Sequence, residues 1–218
     1  MSPAALRASG CFQSSKFLHS YSRGKTSWDP AYPAVASMLG ASRLPILDIG
    51  CGIGLLAAFL RESGLTSPIT GIEPDVEKVS LASHLVASRY PGLSFVAGDA
   101  RALPAFSGNL VLLDILHYMA PPEQQQVLQA VAARIAPGGC ALIRTTFRDR
   151  SWRYFATLAE EAVVRSTGWI RGGRCHFPSR TEVEAAFPKK IFRVQTRPLW
   201  GKTPFNSHLV EICRTLTN

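Results

Sequence analysis

The sequence predicts an α/β fold: a doubly wound, mostly parallel seven-stranded sheet. Three observations predict it. Short apolar runs that stop at glycine or a carboxylate alternate with helix-length stretches through residues 44–147. Asp48, Glu73, Asp99 and Asp114 fall at or just beyond the ends of four successive runs. Pro137-Gly138-Gly139 breaks the chain before a fifth.

The elements follow in order. DPAYPAVASMLG (29–40) suits a short helix with Pro30 in its first turn and Gly40 near its end. PILDIG reads as a buried strand, and 53–63 (IGLLAAFLRES) as a helix ending before Gly64. PITGIE (68–73), SFVAG (94–98), NLVLLDIL (109–116) and CALIRTTF (140–147) give four more strands, with helices expected over 75–89 and 122–135. Then the rhythm changes. A longer helix over 151–167 leads into a Gly/Arg-rich connector, and Ser179 stands three residues before Glu182, a capping-box spacing for a short helix. IFRVQTR (191–197) and HLVEICR (208–214) alternate as two final strands. Residues 148–178 read as a basic, aromatic helical insertion before those strands, a lid over the open end of the sheet.

Length and composition favour one domain, 1–218. Residues 1–28 form its N-terminal segment, 44–147 the cofactor-binding core and 179–218 the last helix and strands. Residues 1–18 read as a frayed leader. No apolar run reaches the ~18 residues of a membrane span. Five cysteines, odd in number and with no CxxC pair, argue against a structural zinc site or a disulfide framework and suit a reducing, cytoplasmic setting. Of the net charge of +9, residues 144–218 supply +8, from 14 Lys+Arg against 6 Asp+Glu. That asymmetry suits a solvated basic face, an acidic protein partner, an anionic substrate, a membrane surface or nucleic acid.

The chemistry gathers at Asp48-Ile49-Gly50-Cys51-Gly52-Ile53-Gly54, between a strand and a helix. Glycines there allow a tight turn and close approach of backbone to ligand. Glu73, 19 residues after Gly54, can accept hydrogen bonds from a ribose diol. Asp99 can accept from an adenine amino group, or simply cap the next turn. Asp114 ends the apolar run of the fourth strand and suits a buried turn. Cys51 reads as a small packing residue rather than a nucleophile.

LDIGCGIG, GIEPD, GDARAL, VLLDILHYM and IAPGGCALI, in that order, resemble the class I S-adenosylmethionine-dependent methyltransferases. The resemblance implies a Rossmann-like sheet with an antiparallel seventh strand. It also implies S-adenosyl-L-methionine as cofactor, leaving as S-adenosyl-L-homocysteine. Gly50, Gly52 and Gly54, with Cys51 among them, would line the amino-acid part of the cofactor, with Asp48 near its amine. Glu73 would hold the ribose, Asp99 and Ala100 the adenine, and Asp114 and Ile115 the floor near the sulfonium. No metal is implied.

Transfer from an activated donor needs mainly alignment and exclusion of water, with a base where the acceptor must lose a proton. His117 and Tyr118, just past the fourth strand, are the catalytic candidates. His117 equally suits packing or a structural hydrogen bond. More specifically, YSRGKTSWDPAYP, DILHYMAPPEQQ and WGKTPFNSHLVE resemble methyltransferases of bacterial aryl-polyene pathways. That implies a phenolic acceptor, with a substrate pocket built from the N-terminal segment and Trp200–Asn206. An acidic acyl carrier protein would suit the basic C-terminal third. The competing readings are a nucleic-acid methyltransferase, which lacks a (D/N)PP(Y/F) run here, and a non-catalytic cofactor-binding protein. A nicotinamide enzyme fits less well, because the glycines run G-x-G-x-G.

Overall fold

The computed structural model describes residues 1–166 and 175–216. Its strands are β1 (Ile46–Ile49), β2 (Ile69–Glu73), β3 (Leu93–Ala97), β4 (Asn109–Leu113), β5 (Cys140–Thr146), β6 (Phe192–Pro198) and β7 (Ser207–Arg214). They form one sheet in the order β3-β2-β1-β4-β5-β7-β6. β2 pairs in parallel with β1 and β3, whereas β7 runs antiparallel to both β5 and β6. This is the expected seven-stranded α/β sheet with an antiparallel β7. The chain divides into two compact units, Met1–Val111 and Leu112–Asn218.

In the first unit, helices α1 (Pro3–Gly10), α2 (Lys16–Trp28) and α3 (Ala31–Leu39) precede the sheet, and α4 (Leu55–Glu62) and α5 (Val76–Ala82) follow β1 and β2. The reading of residues 1–18 as a frayed leader is corrected. Ser2 caps α1 by accepting from the Ala5 N–H, and Ser15 caps α2 by accepting from Leu18. Ala5, Ala8, Ser9, Cys11 and Phe12 are buried. α1 packs on α4, where Arg7 pairs with Glu62 and the Tyr90 hydroxyl donates to the same carboxylate at 2.6 Å. The buried face of α1 is made of small residues, which let helices approach closely but leave little hydropathy signal. The helix expected over 75–89 is α only to Ala82; a π turn, Ser83–Ala87, completes it.

In the second unit, α6 (Pro121–Arg134), α7 (Trp152–Ser166) and α8 (Arg180–Glu184) join the strands. The capping box of α8 forms: Ser179 N–H donates to Glu182 Oε2 at 2.6 Å, and Glu182 N–H donates to Ser179 Oγ at 3.2 Å. The expectation that the cysteines carry no disulfide is corrected. Cys140 and Cys213 lie opposite each other in the β5–β7 register and are bonded. Their separation of 73 residues gave no motif; only strand pairing makes them neighbours. Of the expected insertion over 148–178, α7 is in place, and 167–174 lie outside the described residues. Among the described residues no helix is long and apolar enough to cross a membrane.

Candidate active site

The glycine turn leaves β1 under tight restraint. Gly50 and Cys51 both donate to the Ile72 carbonyl, at 2.8 and 3.1 Å. Gly50, Gly52 and Gly54 all lie at positive φ, 76°, 54° and 76°. The last two differ in purpose. A Cβ on Gly54 would stand 2.7 Å from the Phe95 ring, so packing requires glycine there. A Cβ on Gly52 would meet nothing within 4 Å; it faces open space that a ligand can enter.

Two carboxylates surround this turn. Glu73, at the end of β2, accepts from the Gly52 N–H at 3.0 Å and from Asp75 N–H at 3.3 Å. One bond to each oxygen leaves lone pairs for a diol. Asp48 is buried at 4% exposure, and its Oδ2 has no hydrogen-bond partner among the described residues. Burial, reinforced by the neighbouring Glu73, raises its pKa to about 7. An orphaned, buried carboxylate oxygen beside a positive-φ glycine turn fits the cationic amine of an amino-acid-bearing cofactor. Burial first, then Asp48 and Glu73, pushes the buried Cys51 thiol far up, which disfavours the thiolate.

Asp99 lies just past β3. Its Oδ1 accepts from Arg101 N–H at 2.8 Å and Nε at 2.9 Å, capping the short turn that begins at buried Ala100. The Arg101 guanidinium holds this carboxyl below its usual range.

In the second unit, Asp114 follows β4 at φ 60°, in the left-handed region. Its two oxygens accept from Nε and Nη2 of Arg144, whose side chain is 6% exposed. Half-buried Ile115 leads into the turn Leu116–Tyr118. His117 is 3% exposed. Its ring stacks on Phe177 at 5.1 Å, and its Nε2 lies 3.2 Å from Glu161 Oε1 without the alignment of a hydrogen bond. Nδ1 has no hydrogen-bond partner among the described residues. The Tyr118 hydroxyl donates to Glu161 at 3.2 Å. Burial first, then Glu161, pushes that hydroxyl far above its ordinary pKa. Tyr118 thus stays protonated and serves as a hydrogen-bond donor to Glu161.

Glu161 is the residue the sequence reading missed. It belongs to α7, which turns Thr157 and Glu161 inward and an apolar face outward. The available signal was the i, i+4 spacing of these two polar residues opposite an apolar stripe. Gln124 secures the surroundings: its Nε2 reaches the carbonyls of Leu116, Met119 and His176 at 3.0, 3.1 and 2.5 Å. A cavity of about 380 Å³ opens beside it, walled by Arg148, Tyr154, Cys175, His176 and Phe177 among others.

Residues 46–139 match a family described as a methyltransferase domain. A ubiquinone biosynthesis O-methyltransferase of Paracidovorax citrulli is 27% identical over 124 residues, 55% of this chain and 50% of that protein. The chain thus spans about half the length of the curated relatives it matches. Magnesium protoporphyrin IX methyltransferase from Synechocystis PCC 6803, with bound SAH, superposes with a TM-score of 0.65 at 17% identity, over 85% of this chain and 82% of the other. An O-methyltransferase family protein from Burkholderia thailandensis gives 0.68 at 15% identity, over 94% and 62%. Residues 46–139 thus match a methyltransferase domain family, and the seven-stranded sheet is the fold of methyltransferases solved with SAH or SAM bound.

Proposed function

We propose that this chain methylates a hydroxyl of a small aromatic acceptor, with His117 as the base. The observation that carries this reading is a buried histidine beside the Glu161 carboxylate, three residues past Asp114, whose Nδ1 has no hydrogen-bond partner among the described residues. The resemblance puts Asp114 and Ile115 close to the sulfonium.

When bound, S-adenosylmethionine supplies an electrophilic methyl group. The chain's own residues do the rest. Asp48, ionised, pairs with the cofactor's amine, and Glu73 holds its ribose. Asp99 and Ala100 take the adenine. As the acceptor oxygen gains the methyl, its proton passes to His117, and Glu161 stabilises the imidazolium that results. Tyr118, hydrogen-bonded to Glu161, keeps that carboxylate oriented. The O-methyltransferase names of the relatives support oxygen as the acceptor atom.

The narrower reading is a phenolic intermediate of aryl-polyene type, presented by an acidic acyl carrier protein. Its supports are the quoted segment resemblances and the +8 charge of residues 144–218.

The test is calorimetric titration with S-adenosylmethionine and S-adenosylhomocysteine, with NAD as control, repeated on Glu73→Ala. A turnover assay on free and carrier-linked phenols follows. Micromolar binding lost in Glu73→Ala, together with methyl ether formation, is expected. Absence of binding to folded protein refutes the cofactor assignment. Binding without turnover of any phenol favours the non-catalytic reading, and methylated nucleic acid the other alternative.

A further inference from the structure

Helix α7 is amphipathic the wrong way round for a helix packed on a core. Its inward residues include Thr157 and Glu161, while Trp152, Phe155, Leu158, Ala159 and Ala162 are exposed. Their spacing of three, three, one and three places all five on one face. Trp152 is 63% exposed and Phe155 60%. Large aromatics in a row on a solvent face mark a docking surface.

Cations stand at one end of the stripe. The Arg153 guanidinium lies 4.7 Å from the Trp152 ring centre and 4.3 Å from that of Trp200, and it donates to the Thr203 carbonyl at 2.6 Å. This sandwich ties the Trp200–Thr203 turn, with exposed Lys202, to the head of the stripe; Arg150 is exposed two residues before Trp152.

We propose that the outer face of α7 lies on an anionic lipid bilayer. Trp152, Phe155 and Leu158 enter the headgroup–acyl boundary, and Arg150, Arg153 and Lys202 stay at the phosphates. From Trp152 to Ala162 the stripe runs roughly 15 Å at 1.5 Å per residue, which suits a helix lying in the interface plane. Charge selects this occupant. The +8 excess of residues 144–218 repels a second copy of the chain and attracts anionic headgroups. The exposed aromatic and aliphatic stripe gives the carboxylates of an acidic carrier protein no partner beyond the cations at its end, whereas a bilayer takes up both the stripe and the cations.

The experiment uses the full chain without cofactor, so its outcome is independent of methyl transfer. Flotation with vesicles of phosphatidylcholine containing 30 mol% phosphatidylglycerol (the composition of the probe) is compared with pure phosphatidylcholine. Binding to the anionic vesicles is expected, weakening with salt, and about tenfold weaker in the Phe155→Gln/Leu158→Gln double variant. Arg150→Gln/Lys202→Gln is expected to lose a comparable factor on anionic vesicles and to flatten the salt dependence. All four positions are solvent-exposed, and an unchanged melting curve checks that each variant is folded. Equal affinity of the Phe155→Gln/Leu158→Gln variant, absence of binding to anionic vesicles, or a concentration-dependent dimer abolished by Phe155→Gln overturns the proposal. So does salt-dependent capture by an acidic carrier protein that Phe155→Gln/Leu158→Gln abolishes and vesicles do not compete away.

Discussion

Asp114, held at φ 60° just past β4, spreads both carboxylate oxygens over the guanidinium of Arg144 on β5. Arg144 is buried, whereas the Asp114 carboxylate is about one-third exposed. Asp114→Asn keeps a residue that tolerates the left-handed region and removes the charge. We expect a loss of about 2 kcal/mol, below the usual range for a buried pair because solvent screens one partner. Arg144→Met in the same chain is expected to recover much of it. Urea denaturation of the double-mutant cycle measures both.

Asp48 makes stability and cofactor affinity depend on pH in opposite senses. Its folded pKa of about 7 lies above the ordinary 3.8, so the folded state holds the proton more tightly than the unfolded chain. Stability contributed by that proton is present at acid pH, is lost as pH rises from about 4 to about 7, and is level above. The span is on the order of 4 kcal/mol. Asp48→Asn is expected to flatten this slope. Cofactor binding needs the ionised form, so affinity rises towards pH 7 with release of a proton. Calorimetry at pH 6 in two buffers of different ionisation enthalpy reads that proton directly.

Gly52 and Gly54 separate binding from folding. Gly54→Ala meets the Phe95 ring and is expected to cost more than about 2 kcal/mol in stability. Gly52→Ala meets no protein atom, so only its left-handed backbone is strained, by roughly 1–2 kcal/mol. Its methyl enters the space assigned to the cofactor, and we expect affinity for S-adenosylhomocysteine to fall at least about tenfold. Thermal melts and titration of the two variants distinguish these outcomes.

In the proposed mechanism Glu161 acts through His117. Glu161→Gln is expected to lower kcat about tenfold with KM nearly unchanged, and His117→Ala to lower it by about 10² or more. Tyr118→Phe keeps the ring and loses one hydrogen bond, so its effect is smaller, about threefold. A uniform rise in KM across the three variants would instead assign this cluster to acceptor binding.

Much of this was legible in the sequence because strand ends and glycines are local signals. The turn from Asp48 to Gly54 and the acids Glu73, Asp99 and Asp114 stand where alternation of strand and helix put them. What escaped was set by tertiary contact. The α1 helix packs on α4, and its buried residues Ala5, Ala8 and Ser9 are small, which gives hydropathy little to detect. Cys140 and Cys213 became partners only through the β5–β7 register. Glu161 stands in no motif, and only the inverted burial of α7 brings it to His117.

The strand order has a consequence for synthesis. β7 pairs with both β5 and β6, so β6, although made first, has no strand to join until β7 arrives. Eight residues separate Pro198 from Ser207. At ribosomal rates β6 therefore waits roughly a second or two for the first of its partners to emerge. During that interval β5 has one edge open and β6 has two, and the exposed β5 edge begins at Cys140, a thiol with no sulfur yet beside it.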